Sequence, residues 1–324
     1  MPITHFNIVI VNYNGGRLLA KTLAALQDQT FQNFFVTVVD NGSTDGSLEC
    51  LGCLDDRFCF LKLTRNIGFA AASNLGANYK LSNWIVTLNP DAIPLNDWLE
   101  QIVTAQKEHP SIHVFGSTQI SLDNSLVIDG FGDSLSVYGI AWQNLKNKCV
   151  KALPDNNEIV FSPCGAAAVY RSDTFMSFGG FAANFFCYLE DVDLGWRMKR
   201  AGTTCLQLRH AIVLHKGSYS YGSDSEFCLF HSHRNRILMM KRNLPIPLFI
   251  VFSILGSMAY LPTIIFRYPF KGKVAALKGI LYGYLLSCSE GRISQGSAMK
   301  DFLRLFYQGK ITASFLKIMT KDLI

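Results

Sequence analysis

Regular cysteine spacing is missing from this chain. Nine cysteines are scattered over 324 residues. Cys50 and Cys53 make one CxxC, with Cys59 nearby, but no second CxxC or CxxH follows at zinc-finger distance. That argues against a structural zinc module and for reduced thiols in a cytosolic setting. A secretory signal is also missing: residues 1–11 run directly into a strand pattern with no basic leader and no cleavage site, so the catalytic part is expected to stay in the cytosol. No internal repeat and no low-complexity tract is present. Acid is scarce toward the C-terminus. From Arg234 onward, 14 Lys and Arg face 3 Asp and Glu, whereas up to His233 the counts are 16 and 21. A basic, apolar tail on a mildly acidic body points to an anionic partner, lipid head groups or nucleic acid. The tail's apolar content and its lack of a recognisable motif speak against nucleic acid.

What is present is a large apolar share, about half of all residues, enough for a substantial core. Residues 6–13 read as a buried strand bounded by Asn14-Gly15-Gly16, and 17–29 as a helix carrying Leu18, Leu19, Leu23 and Leu26. Strands are expected at 34–39, 58–63, 84–88 and 114–116. Helices are expected from Thr44, over 68–79 and over 94–108. This cadence predicts an α/β fold with a mostly parallel sheet and helices on both faces. Its ligands should lie beyond the carboxyl ends of the strands. Residues 122–163 read as turns and short antiparallel strands. A strand follows at 165–170, a helix at 190–201 stopped by Gly202, two short strands at 205–208 and 212–214, and a basic helix at 225–242. Residues 244–266 carry no charge and reach bilayer-spanning length. Pro245, Pro247 and Pro262 interrupt them, and 275–288 is short for a span. Interfacial helices on the cytoplasmic leaflet are expected, as a region 243–324 following a catalytic domain 1–242. A packed helical subdomain or an oligomer contact is the other reading.

Two acidic turns stand out. Asn89-Pro90-Asp91 follows a strand, where a carboxylate can meet a divalent cation such as Mg²⁺ or Mn²⁺. His215 ends a short apolar strand and is the candidate second ligand. Glu190-Asp191-Val192-Asp193 opens a helix beside the apolar run 185–189. The helix dipole alone accounts for Asp193. Glu190 and Asp191, at the mouth of an apolar wall, are candidates for a tuned base. A carboxylate that holds metal and phosphate, with another that activates a nucleophile, is a minimal kit for moving a group off a diphosphate. Asn12, Asp40, Asn66 and Asp91 fall near strand ends and should converge. Asp40 can accept hydrogen bonds from a base or ribose. The small residues after Gly68 allow close approach of a ligand or close helix packing.

Six segments in order resemble the family 2 glycosyltransferases, and most of all their bacterial rhamnosyltransferase-like branch. They are Ile8-Val-Ile-Val-Asn-Tyr-Asn14, Val39-Asp-Asn-Gly-Ser-Thr-Asp-Gly-Ser47, Asn66-Ile-Gly-Phe-Ala70, Leu88-Asn-Pro-Asp-Ala92, Cys164-Gly-Ala-Ala167 and Glu190-Asp-Val-Asp-Leu194. The resemblance implies a GT-A fold and inverting transfer from a nucleotide-diphospho-sugar with a divalent cation. By motif it makes Asp191 the base with Glu190 beside it. Asn12, Asp40, Asn66, Gly68, Asn89 and Asp91 become donor contacts, Gly165, Ala166 and Glu190 acceptor contacts, and Asp91 with His215 the metal ligands. Asn89 stands where the family's first DxD acid would be. His233-Arg-Asn-Arg236 resembles the helix that often follows. Rhamnose from dTDP-rhamnose and a lipid-linked saccharide acceptor of a surface polysaccharide are the expected substrates. A nucleotidyltransferase on a similar core is the rival enzyme, although Asn12-Tyr-Asn-Gly-Gly-Arg17 carries little positive charge for a triphosphate. A membrane-bound scaffold with a relic nucleotide site is the non-enzymatic rival.

Overall fold

A computed structural model describes residues 4–49, 51–217, 225–286, 295–307, 309 and 311. Six strands of the main sheet run one way: β1 (Thr4–Asn12), β2 (Phe34–Asp40), β3 (Phe58–Lys62), β4 (Ser82–Leu88), β6 (Val114–Ser121) and β12 (Cys205–His215). β11 (Ala167–Arg171) runs against them between β4 and β6, and β10 (Glu158–Val160) closes the β12 edge. The spatial order is β10-β12-β6-β11-β4-β1-β2-β3. Short β5 (Ala92–Pro94) and β7 (Ile128–Gly130) pair with β12 and β6, and β8 (Asp133–Leu135) with β9 (Ala141–Gln143) forms a separate ribbon. The expected turn-rich span 122–163 thus supplies β7 to β10.

The central strands are unbroken apolar runs because both faces are covered. Ile8 and Ile10 meet Leu19, Leu23 and Leu26 of α1 (Gly16–Gln27) and Trp98, Leu99 and Ile102 of α3 (Trp98–Glu108). Val9, on the other face, meets Ala70 and Ala77 of α2 (Phe69–Tyr79). Small side chains bring that helix close: a Cβ on Gly76 would lie 2.5 Å from Val9 Cγ1. Close helix packing is therefore the role of the small residues after Gly68.

Several local expectations change. Thr44 opens no helix; the segment is a chain of bends and turns in which Asp45 bonds the backbone N–H groups of Gly16 and Ser47. Residues 94–97 are not helical, because β5 pairs with β12 there and α3 begins at Trp98. The two short strands at 205–214 are one strand with an irregularity between Leu208 and Ile212.

After α4 (Ser172–Ser177), α5 (Glu190–Arg200) docks on α6 (Glu226–Asn243) through a buried charge cluster. Asp193 Oδ2 takes Arg197 Nε at 2.9 Å, while Oδ1 takes Arg242 Nε at 3.2 Å and Asn243 Nδ2 at 2.8 Å. Next come α7 (Ile246–Arg267), α8 (Phe270–Leu285) and α9 (Gln295–Tyr307). α8 lies against α6 through glycines: a Cβ on Gly279 would stand 2.3 Å from the Phe230 carbonyl oxygen. The change of composition at 242/243 does not divide the core. One buried cluster joins Leu135, Trp142 and Trp196 to Phe249, Ile264, Ala276 and Phe302. α7 is a continuous helix despite its prolines. Pro245 caps it, Pro247 sits in the first turn where no N–H is needed, and only Pro262 falls inside.

The Asp193 cluster makes a stability prediction. Asp193→Ala removes the buried carboxylate that Arg197 and Arg242 share, and breaking such a pair costs roughly 3–5 kcal/mol. Chemical denaturation should show a loss of that order; a change below about 1 kcal/mol, the scale of an exposed pair, would contradict the assignment.

Candidate active site

The carboxyl ends of β1, β2 and β4 open on a cleft of about 240 Å³. Its lining includes Tyr13, Asn41, Asn66, Asn89, Asp91, Gly165, Ala166, Tyr188, Glu190, Asp191, His215 and Phe227. Three expected donor contacts, Asn12, Asp40 and Gly68, stand behind this wall. Asn12 is fully buried, and its Nδ2 donates to Asp40 Oδ1, Ser43 Oγ and Ser47 Oγ at 2.9–3.0 Å. Its Oδ1 accepts from Gly15 N. Asn12 is thus consumed in holding Asp40 and the 43–47 turn. Gly68 has φ +89°, and a Cβ there would strike Phe186 at 2.7 Å. It is required by packing and backbone shape rather than by room for a ligand. Asn66 does line the cleft, with Oδ1 accepting from Asn41 Nδ2 at 2.9 Å and Gly68 N at 2.8 Å.

One wall is the turn after β4. Asn89 N donates to the Ala166 carbonyl, Ala92 N to that of Asn89, and Thr22 Oγ1 to that of Pro90. The turn holds Asp91 against β12, where His215 pairs with Ala92. His215 Nε2 lies 3.5 Å from Asp91 Oδ1 and 3.4 Å from Asn89 Nδ2. Its Nδ1 is 2.7 Å from Asp129 Oδ2. Burial lowers the proton affinity of His215, but the bonds and charges of Asp129 and Asp91 outweigh it and push its pKa up to about 9. Burial raises Asp129 as well, yet the His215 bond more than offsets it and its pKa falls below the ordinary value.

These residues fit a divalent cation. Asp91 Oδ1 and His215 Nε2 converge, and Asp129 orients the imidazole from behind, as outer-shell carboxylates do for metal-binding histidines. Among the described residues no group of three or more His, Cys, Asp and Glu is arranged to hold a metal alone. Further ligands must come from substrate oxygens and water, the usual habit of Mg²⁺. Asp129 was not foreseen, because it lies in the turn-rich span and meets His215 only across the β6–β7 and β6–β12 pairings.

The facing wall is the loop before α5. Phe186 (φ +64°, ψ −66°) is the centre of a γ-turn closed by Cys187 N on the Phe185 carbonyl at 2.7 Å. Tyr188 and Leu189 are also left-handed, at φ +73° and +65°. Asn235 of α6 holds the loop: its Nδ2 donates to the carbonyls of Phe185, Cys187 and Tyr188 at 2.8–2.9 Å. Asn235 belongs to the His233-Arg-Asn-Arg236 segment, whose role was not evident from sequence.

The loop delivers Glu190 and Asp191 into the cleft. Asp191 Oδ2 accepts from Gly165 N at 2.7 Å, and Oδ1 from Val192 N at 2.8 Å. A Cβ on Gly165 would approach Asp191 Oδ2 to 3.0 Å, so glycine permits this contact. Burial raises the Asp191 pKa, and the backbone N–H bonds hold the rise in check. Glu190 is pushed much higher, by burial first and by the neighbouring Asp191 charge second. Burial and that charge thus favour its protonated form, and its Oε2 is unpartnered among the described residues. Two adjacent carboxyls thus lie in different environments, Asp191 with two backbone donors and Glu190 raised further by burial and by its neighbour's charge.

Residues 7–175 match the family described as Glycosyl transferase family 2. The chain belongs to that family of glycosyltransferases. Among individual proteins, it is 26% identical over 256 residues to an N-acetylglucosaminyl-diphospho-decaprenol L-rhamnosyltransferase of Mycobacterium tuberculosis, covering 72% of this chain and 83% of that one. It is 22% identical over 171 residues to an Escherichia coli UDP-Glc:alpha-D-GlcNAc-diphosphoundecaprenol beta-1,3-glucosyltransferase, covering 52% and 67%. The fold is GT-A-like. GalNAc-T7, solved with UDP, GalNAc and Mn²⁺, superposes with a TM-score of 0.65 at 14% identity over 95% of this chain and 58% of that one. A Pyrobaculum calidifontis mannosyltransferase, solved with GDP-Man and Mn²⁺, gives 0.54 at 13% identity over 98% and 86%.

The His215 pair makes a pH prediction. A pKa raised from 6.5 to about 9 on folding contributes stability that is complete below pH 6.5 and is lost as the pH rises through about 9. Asp129→Asn should flatten the decline in melting temperature between those pH values. A slope equal to the wild type would contradict the pairing.

Proposed function

We propose that this protein is an inverting, metal-assisted glycosyltransferase. It moves a sugar from a nucleotide-diphospho-sugar to a lipid-linked saccharide at the cytoplasmic face of a membrane, in surface polysaccharide synthesis such as O-antigen. The observation that carries this reading is one cleft with Asp91 and His215 on one wall and Asp191 on the other. The donor's nucleoside lies toward Tyr13, Asn41 and Asn66, with Asp40 behind them. Its diphosphate lies toward Asn89 and Asp91. Bound at Asp91 and His215, Mg²⁺ or Mn²⁺ would neutralise charge on the departing diphosphate. Asp191 takes the proton of an acceptor hydroxyl as that oxygen bonds to the anomeric carbon. The bond from carbon to diphosphate oxygen breaks on the opposite side, and the nucleoside diphosphate leaves. No covalent enzyme intermediate forms. Glu190, whose burial favours the protonated carboxyl, contacts the acceptor, and the backbone at Gly165 and Ala166 borders the acceptor's path. The M. tuberculosis relative favours rhamnose from dTDP-rhamnose as the donor sugar. Both relatives act on saccharides joined to a polyprenol through a diphosphate, which supports the same kind of acceptor here.

Membrane attachment rests on α7, a 22-residue helix whose most apolar 18 residues have a mean hydropathy of 2.1, long and apolar enough to cross a bilayer. Its outer side leaves Ile250, Ile254, Met258, Leu261 and Ile265 exposed. Arg267, Lys271, Lys273 and Lys278 follow at the turn and on α8. Each such charge near an anionic surface adds about 1 kcal/mol.

Two measurements test this reading. Asp191→Asn should retain nucleotide-sugar binding and lose transfer by roughly two to four orders of magnitude, while Asp91→Ala should weaken metal-dependent donor binding and transfer together. Wild-type turnover in the first variant, or full wild-type activity in excess chelator, counts against the roles assigned. The whole protein should co-sediment with anionic phospholipid vesicles, and Ile254→Glu with Met258→Glu should reduce that binding. Equal vesicle binding by wild type and variant would remove α7 as the attachment surface.

A further inference from the structure

The cleft has an aromatic exit. Phe186, Tyr188 and Phe227 line it beside Asp191. From Phe227 a chain of ring contacts leads away along α6. Tyr188 lies 6.3 Å from Phe227, centroid to centroid, Phe227 is 4.3 Å from His231, His231 is 5.2 Å from Phe230, and Phe230 is 5.7 Å from Tyr282 of α8. The chain ends in the open, with Tyr282 half exposed. There it joins the outer face of α8, where Leu277, Leu281 and Leu285 stand exposed one turn apart.

Two cations flank this route. The Arg234 guanidinium lies 5.7 Å from the Phe230 ring centroid. It is held in place by the carbonyls of Asn184 and Phe185 and, among the described residues, meets no carboxylate. Lys278 is exposed one helical turn before Tyr282. Aromatic faces and aliphatic side chains accept an unsaturated hydrocarbon, and a guanidinium beside them accepts phosphate oxygens. A soluble sugar acceptor needs neither feature.

We infer that the row Phe227, His231, Phe230 and Tyr282, flanked by Arg234 and Lys278, is a binding track for the isoprenoid diphosphate part of the acceptor. The track deepens the glycosyltransferase reading and rests on it. The saccharide end of the acceptor sits at Asp191, the diphosphate passes Arg234, and the chain runs over Tyr282 onto the exposed leucines of α8. The acceptor is thereby presented from the side that α7 and α8 turn toward the membrane. Specificity for a lipid-linked over a free saccharide then arises along a track that starts at Phe227 on the cleft wall and continues outside the cleft over Phe230 and Tyr282.

The test is calorimetric binding of farnesyl diphosphate, a sugar-free isoprenoid diphosphate, to the full-length protein. It is run in the presence of whichever nucleotide-sugar best protects the protein against thermal unfolding, so that the donor's own diphosphate site is filled. Farnesyl diphosphate should bind more tightly than either farnesol or inorganic pyrophosphate. Tyr282→Ala with Lys278→Glu, both at exposed positions, should weaken it by about tenfold or more and leave nucleotide-sugar protection intact. Equal affinity in the variant, or equal affinity of farnesol, overturns the track. So does protection by a nucleotide-sugar without any binding of farnesyl diphosphate. If no nucleotide-sugar protects the wild type, the glycosyltransferase reading falls and the track falls with it.

Discussion

One side-chain amide holds the catalytic wall in shape. Phe186, Tyr188 and Leu189 all occupy positive φ without being glycine, at a cost of order 1–3 kcal/mol each. Asn235 Nδ2 bonds three carbonyls of that loop, and hydrogen bonds of this kind contribute only about 0.5–1.5 kcal/mol net apiece. The amide therefore offsets part of the strain. The remainder falls to packing, with Phe185 fully buried and Leu189 nearly so in the cluster shared with α6. The strained geometry lets α5 begin where two carboxylates point into the cleft while Asp193, three residues beyond Glu190, points into the core. Without the left-handed residues the chain could not turn from the cleft wall into α5 within this loop.

Two neighbouring carboxyls in that helix sit in different environments. Asp191 keeps backbone donors from Gly165 and Val192, which favour its charged form. Glu190 is buried and faces the charge of Asp191, and its one backbone hydrogen bond does not offset these, so its proton affinity rises well above the ordinary value. On the opposite wall the polarity is reversed. His215, between Asp91 and Asp129, gains proton affinity when the site holds no cation. A cation arriving at Asp91 and His215 would displace that proton, since a histidine ligates through a neutral ring.

Much of this could be read from the chain. The βα cadence, the strand-end positions and the six ordered segments led to a GT-A-like sheet, and they led to Asp91, Asp191 and His215 as cleft residues. The misses share a physical cause. Strand-end position does not reveal that the Asn12 amide is engaged by Asp40, Ser43 and Ser47 behind the cleft wall. Thr44 to Ser47 carry helix-capping residue types, yet their hydrogen bonds close a turn on β1 and α1 instead. Asp129 and Asn235 act through partners 86 and about 50 residues away, so no local pattern marks them. The prolines of α7 were weighed as interruptions, whereas two of the three sit at the start of the helix, where proline is at home.

The proposed transfer is a single displacement, with Asp191 as base on one side of the anomeric carbon and the diphosphate leaving on the other. The anomeric configuration of the new glycosidic bond, compared with that of the donor by proton NMR, tests it most directly. Inversion is the expected result. Retention of configuration would contradict it, because a single in-line displacement inverts the anomeric centre.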